Sequence, residues 1–191
     1  MSQLPNIISG LRLLFIPIFI LTFLDGSYLL ALIIFVLMSI SDAFDGMLAR
    51  KLNAQSQFGA YLDAIADKLM ILSAFLAMHL ASLPYLDDTI SVLFYSCLYR
   101  DLMLLVGAII TFKYSPHYRF KPLYISKINT VFQMILIISI LFLLQDNYYS
   151  YDIRSDLYII LPMAYITITT TIVSGVLYIV SFGKAFNKKI N

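Results

Sequence analysis

Long apolar runs separated by short polar segments dominate the sequence from residue 7 onward. Six of these runs approach the ~20 residues that a helix needs to cross the hydrocarbon core of a bilayer. The polar segments between them contain turn-forming residues, among them Gly26 and Pro84. We therefore predict an all-α membrane protein that forms a single domain over residues 1–191. Its six transmembrane helices are predicted at 7–24, 28–49, 58–82, 90–112, 123–144 and 157–182.

The amino-acid composition supports a membrane protein rather than a soluble globule. The chain is 61% hydrophobic, and its mean hydropathy is +0.87. A single cysteine, Cys97, excludes an internal disulfide. The net charge is +2, and we expect membrane lipids rather than nucleic acid as partners.

The distribution of lysine and arginine predicts the orientation in the membrane. Six spans put both termini on one side, and that side would contain ten Lys and Arg residues against one, Arg154, on the other. Because basic loops are retained in the cytoplasm, we predict that both termini are cytoplasmic. Arg12, one turn inside the first predicted span, is expected to snorkel to the interface. The ten residues are Arg12, Arg50, Lys51, Lys113, Arg119, Lys121, Lys127, Lys184, Lys188 and Lys189.

Four aspartates lie at the predicted cytoplasmic ends of the second and third helices. Asp42 and Asp45 are three residues apart and Asp63 and Asp67 four apart, so each pair shares one helix face. A lone aspartate here could equally be a solvated helix end. An ionised carboxylate inside a membrane costs at least ~2.5–3.5 kcal/mol, and four together repel one another unless a cation lies between them. Oxygen ligands suit Mg²⁺, Mn²⁺ or Ca²⁺, and a pair of ions about 3.5–4 Å apart is common in phosphoryl displacement.

Small residues lie on or beside the face that carries these acids. Gly46, Ala49 and Gly59 have two interpretations that spacing alone does not separate. Small residues let membrane helices pack closely. They could equally leave room for a flat base or a ribose.

The residues in this stretch follow the order Asp-x2-Asp-Gly-x2-Ala-Arg-x8-Gly-x3-Asp-x3-Asp. This order resembles the motif of the CDP-alcohol phosphatidyltransferase family, with every motif position present. The similarity extends back to Pro5-Asn6 and Arg12 and forward through the fifth predicted helix. Ala64, where proline is common in the family, is a departure that removes no ligand. The eight matching residues are Asp42, Asp45, Gly46, Ala49, Arg50, Gly59, Asp63 and Asp67.

The resemblance implies a metal-dependent enzyme of phospholipid biosynthesis that displaces CMP from CDP-diacylglycerol by an alcohol. By that resemblance, Asp42, Asp45 and Asp63 hold Mg²⁺ or Mn²⁺, as two ions. Asp67 also lies near the metal and acts as the general base that takes the proton of the acceptor hydroxyl. The resemblance implies a homodimer as well, and the Lys and Arg distribution predicts that the active site faces the cytoplasm. The nucleotide-binding residues would be Gly46, Ala49, Arg50 and Gly59.

The acceptor alcohol has to be recognised by residues outside the shared motif. Arg100-Asp101, within the fourth predicted helix, is either an internally neutralised pair or places Arg100 toward an anionic acceptor. The basic segment before the fifth helix is either an ordinary cytoplasmic loop or part of the acceptor site. The predicted acceptor-binding residues are Arg100, Lys121, Lys127 and Asn129.

Within the family, these segments look like those of CMP-forming cardiolipin synthases. The related phosphatidylglycerophosphate synthases usually have a second lysine where Asn129 stands. One cation fewer suits phosphatidylglycerol, a monoanion, better than glycerol 3-phosphate. We therefore predict phosphatidylglycerol as the glycerol-type acceptor, giving cardiolipin, with glycerol 3-phosphate as the alternative.

Two other classes of protein compete with this interpretation. A cation transporter could use the aspartate cluster as an ion site, but the sequence has no repeated halves and no pair of broken helices. A non-catalytic membrane scaffold would leave the two acid pairs unexplained. Release of CMP from CDP-diacylglycerol would separate both from the enzyme.

Overall fold

The structure is a computed structural model. It describes the backbone of residues 4–51, 57–83, 86–114, 124–147 and 153–187. Side chains are described within 10–41, 65–83, 86–107, 124–145 and 158–181, and at Gly183.

The described chain consists of six α-helices, so the all-α prediction is confirmed. Each predicted segment coincides with one helix to within a few residues, apart from longer ends on α6. The helices are α1 (Leu4–Leu24), α2 (Tyr28–Lys51), α3 (Gln57–Leu80), α4 (Asp87–Tyr114), α5 (Tyr124–Asn147) and α6 (Ile153–Asn187).

The helix ends have local causes in the sequence. Gly26 lies between α1 and α2 with φ of +79°, a left-handed conformation that glycine adopts without strain. The turn is short enough to make α1 and α2 antiparallel neighbours. Asp87 and Asp88 lie in the first turn of α4, where a negative charge interacts favourably with the helix dipole.

The helices form a closed ring whose order differs from the order of the chain. Around the ring, α1 is followed by α2, α5, α6, α4 and α3, and α3 packs again on α1. A smaller contact between α3 and α5 crosses the ring. Because α1 packs against both α2 and α3, it lies beside both helices that carry the aspartate pairs.

An apolar core fills one half of the ring, where α1, α3 and α5 end and α2, α4 and α6 begin. Phe19, Phe35 and Phe75 are fully buried there, and the ring centroids of Phe19 and Phe35 are 5.8 Å apart. The outer surface is apolar as well, and every helix exposes several leucine, isoleucine or valine side chains. A soluble monomer rarely exposes apolar patches of this extent, whereas a lipid-facing surface requires them.

Three helices are long and apolar enough to cross a membrane, counting only residues that the structure describes. They contain the segments Asp87–Gly107, Tyr124–Gln145 and Tyr158–Ser181. Two shorter apolar segments, Gly10–Leu24 and Tyr28–Ser41, lie in α1 and α2. These lengths are typical of integral membrane proteins.

Candidate functional site

The backbone places the four predicted metal ligands on two helices. Asp42 and Asp45 lie in the second half of α2, and Asp63 and Asp67 lie in the first half of α3. Their helical spacing keeps each pair on one face, as predicted from the sequence. Of these four side chains, the described part of the structure includes only that of Asp67. The other predicted site residues whose side chains lie outside the described ranges are Gly46, Ala49, Arg50, Gly59 and Lys121.

Asp67 forms a partly buried ion pair with Arg12 of α1. Nη1 of Arg12 donates a hydrogen bond to Oδ1 of Asp67. Arg12 is 2% exposed, while 30% of the Asp67 side chain is exposed. The prediction that Arg12 snorkels to the interface is therefore wrong. Its guanidinium turns inward because a carboxylate on α3 compensates its charge, which lipid would not.

A second charged group joins α4, α5 and α6 around Arg100. Nη1 of Arg100 donates to Asp101 at 2.7 Å, and Nη2 contacts the hydroxyls of Ser126 and, at 3.5 Å, Ser174. Arg100 is buried, and its Nε has no hydrogen-bond partner among the described residues. The internally neutralised pair considered in the sequence analysis is thus formed. Its position beside the first turn of α5 keeps Arg100 close to the predicted acceptor segment.

The two charged groups meet on α3. Lys68 follows Asp67 in the chain and points to α4, where its Nζ lies 3.6 Å from Oδ1 of Asp101. Asp67 points to α1. The face of α3 that carries the predicted base is therefore flanked by cations on both sides, Arg12 and Lys68.

The remaining predicted acceptor residues point in different directions. Lys127 is exposed. Asn129 is fully buried, and its Oδ1 accepts hydrogen bonds from Thr170 at 2.8 Å and Thr171 at 2.9 Å. Asn129 therefore packs α5 against α6, and in this position it cannot touch a ligand without rearrangement.

Sequence reasoning missed the role of Arg12 and the contact of Lys68 with α4. The sequence does indicate that Arg12 needs a partner, because a charge within an apolar membrane segment is by default functional and must be compensated. What the sequence did not contain was the ring order, which brings α1 against α3 and α3 against α4.

An apolar cleft of about 200 Å³ separates α1 from α2. The buried part of its wall includes Arg12 and Met38, and the exposed part includes Phe15 and Leu37. It ends at Ser41, one residue before Asp42. The cleft therefore connects the lipid-facing surface with the part of the bundle that contains the aspartates. Its lining residues are Leu11, Arg12, Phe15, Ile34, Leu37, Met38 and Ser41.

The donor set predicted for a metal consists of carboxylates alone. Within the part of the chain with described side chains, no three His, Cys, Asp or Glu residues come together. Three of the four predicted ligands lie outside that part. The chemistry of four carboxylates on two helices matches the oxygen ligands that Mg²⁺ and Mn²⁺ prefer.

The fold and the sequence motif define a class of protein, an integral membrane helical bundle whose α2 and α3 carry four aspartates. The model of the CDP-alcohol phosphatidyltransferase family matches the chain over residues 2–180. The chain therefore belongs to this family, and the enzyme class predicted from the sequence is confirmed. Members of the family generally depend on a divalent metal.

Individual relatives with established names are also similar to the chain. A CDP-diacylglycerol--glycerol-3-phosphate 3-phosphatidyltransferase of Aquifex aeolicus is 31% identical over 72% of this chain and 75% of its own length. A protein of the same name from Pseudomonas fluorescens is 47% identical over an alignment that covers 36% of this chain and 37% of that relative. A cardiolipin synthase (CMP-forming) of Rattus norvegicus is 32% identical over an alignment that covers 70% of this chain and 48% of that relative.

Proposed function

We propose that the protein transfers a phosphatidyl group from CDP-diacylglycerol to a glycerol-type alcohol and releases CMP. The observation that carries this proposal is the complete eight-position motif on α2 and α3 of a chain that belongs to the family. The reaction is a step of phospholipid biosynthesis. A cation transporter with the same aspartates would release no CMP.

The motif residues have three roles in the proposed reaction: metal binding, proton transfer and nucleotide binding. Asp42, Asp45, Asp63 and Asp67 would hold Mg²⁺ or Mn²⁺, which supplies charge neutralisation to the diphosphate and to the departing CMP. The hydroxyl oxygen of the acceptor forms a bond to the phosphatidyl phosphorus as the bond from that phosphorus to CMP breaks. The hydroxyl proton passes to a carboxylate oxygen of Asp67. The nucleotide would be bound by Gly46, Ala49, Arg50 and Gly59.

The membrane arrangement is part of the proposal. All six helices cross the bilayer as a single domain over residues 1–191, and both termini and the 50–57 connection are cytoplasmic. This arrangement is supported by the ten-to-one distribution of Lys and Arg and by the apolar outer surface of the ring. Its test is thiol labelling of sealed cells that express a Cys97→Ser variant with a cysteine at residue 188. Labelling from outside would refute the orientation. Association into a homodimer is a further part of the proposal.

The acceptor favoured by the names of the relatives is glycerol 3-phosphate. The sequence argument for phosphatidylglycerol depended on Asn129 standing where a second cation would meet the acceptor. Asn129 is instead bonded to α6, so its neutral side chain is no measure of the acceptor's charge. Two of the three relatives described above are named for glycerol 3-phosphate as acceptor.

Phosphatidylglycerol, giving cardiolipin, is the second candidate acceptor. It is supported by the similarity to the rat cardiolipin synthase over most of this chain. A lipid acceptor would approach from the bilayer, where the exposed Lys127 could meet its phosphate.

A comparison of acceptors tests the proposal. Purified protein is given CDP-diacylglycerol with Mg²⁺ and, in turn, glycerol 3-phosphate, phosphatidylglycerol, inositol phosphate or serine, and the lipid product is identified by mass. We expect phosphatidylglycerophosphate as the main product. Cardiolipin as the main product would select the second candidate, and a preference for inositol phosphate or serine would refute both.

A further inference from the structure

Arg12 lies deep in the bundle although it belongs to no position of the motif. Its side chain is 1% exposed, and it contacts Asp67 across the interface between α1 and α3. Within the described residues it is one of two arginines in the interior, and Arg100 has its own partner in Asp101. Arg12 thus connects α1 to α3.

A buried arginine is costly unless its charge is compensated and its donors are used. A contact that only fastened α1 to α3 could be made by apolar side chains, which pack these helices elsewhere along their length. Nη1 of Arg12 donates a hydrogen bond to Asp67. What the arginine adds over an apolar contact is a charge on a rigid, planar group that attracts the carboxylate and limits its direction.

Asp67 needs such a restraint. It lies one helical turn from Asp63, so two carboxylates share a face and repel each other. The side chain of an aspartate on a helix has several rotamers, and repulsion alone does not select the one required for proton transfer. The guanidinium of Arg12 offsets the repulsion and gives the carboxylate one defined direction.

We propose that Arg12 is a positioning residue that holds the carboxylate of Asp67 in the orientation from which it takes the proton of the acceptor hydroxyl. This inference rests on the proposed function, in which Asp67 is the general base. In this role Arg12 acts through Asp67 and not directly on a substrate. Its loss should lower turnover while the affinity for the CDP-diacylglycerol donor is retained.

Substitution at Arg12 provides the first test. In Arg12→Gln, kcat should fall by about 10²-fold, the effect expected when a reacting group is displaced by about an ångström. KM for CDP-diacylglycerol should stay at the wild-type value. Arg12→Lys keeps the charge on a shorter side chain without the planar guanidinium, so its kcat should lie between those of wild type and Arg12→Gln. Folding of each variant is checked by size-exclusion chromatography and thermal unfolding in detergent.

Chemical rescue provides the second test and does not depend on how well the glutamine variant folds. Arg12→Ala removes the equivalent of ethylguanidinium from a position that borders the α1–α2 cleft. Added ethylguanidinium should therefore enter the vacated space and raise kcat at least several-fold. Ethylammonium, which has the same charge but no planar guanidinium, is the matched control and should restore kcat less. The double variant Arg12→Ala/Asp67→Asn should not respond to either cation, because no carboxylate remains to be oriented.

The outcomes separate this inference from the proposed function. Wild-type kcat in Arg12→Gln and Arg12→Lys, with an inactive Asp67→Asn variant, would overturn the positioning role and leave the base in place. A loss of kcat in Arg12→Ala that ethylguanidinium does not relieve would also overturn it, since a structural contact would then explain the loss. Wild-type turnover in Asp67→Asn would instead refute the base assignment itself.

Discussion

Replacing Asp101 with asparagine should destabilise the bundle, because Asp101 compensates two cations at once. Its Oδ1 accepts a hydrogen bond from Nη1 of Arg100 at 2.7 Å and lies 3.6 Å from Nζ of Lys68. Removing one partner of a buried ion pair typically costs about 3–5 kcal/mol. Here Ser126 and Ser174 still accept from Arg100, and Asp101 is one-fifth exposed, so we expect a loss of about 2–3 kcal/mol.

Cys97 supplies the assay, because it is the only cysteine and is 2% exposed. A thiol-reactive dye should label it only as the protein unfolds. For a chain of this size, the expected loss corresponds to a decrease in Tm of about 4–12 °C. Asp88→Asn is the matched control, since Asp88 is exposed in the first turn of the same helix and its charge there is worth about 0.3–1 kcal/mol.

A double variant examines the cause of the destabilisation. Adding Arg100→Met to Asp101→Asn removes the guanidinium that the aspartate compensated, so the two changes together should cost less than the sum of their separate effects. If Asp101→Asn unfolds at the same temperature as Asp88→Asn, Asp101 does not compensate a buried charge and the account of this network is wrong.

Three further predictions concern the site. Asp67→Asn should retain CDP-diacylglycerol binding and lose about 10²–10⁴-fold in turnover, because asparagine cannot take the proton; equal losses in binding and turnover would contradict the base role. Asp42→Ala or Asp45→Ala should abolish metal-dependent activity and weaken nucleotide binding, and an unchanged dependence of donor affinity on Mg²⁺ in both would remove them from the ligand set. Asn129→Lys should impair folding rather than change acceptor preference, because it puts a charge at a fully buried position bonded to α6; a well-folded variant with a new acceptor preference would restore Asn129 to the acceptor site.

The helices could be predicted from the sequence because apolar runs and turn residues act locally. Gly26 marks the α1–α2 turn and Asp87 the start of α4, and both boundaries depend on neighbours a few residues away. The shared faces of the aspartates from Asp42 to Asp67 could be predicted for a related reason. Helical periodicity alone decides which of its carboxylates share a face.

The partners of the interior charges could not be predicted, because they depend on which helices are neighbours in the ring. Arg12 was assigned to the interface since snorkelling is the usual behaviour of an arginine near a helix end. Its burial follows from the packing of α1 on α3, a contact between residues 55 positions apart. The same holds for Asn129. Its place in a basic segment predicts a ligand contact, but its side chain accepts a hydrogen bond from Thr170 and packs α5 against α6.

The central claim is tested most directly by CMP release from purified protein in detergent with CDP-diacylglycerol as the donor. Wild-type protein should release CMP only when Mg²⁺ or Mn²⁺ and a glycerol-type alcohol are both present, with one molecule of new phospholipid formed for each CMP. Chelation of the metal or the Asp67→Asn substitution should suppress both products together. No CMP release by folded wild-type protein with either acceptor and either metal would contradict the account.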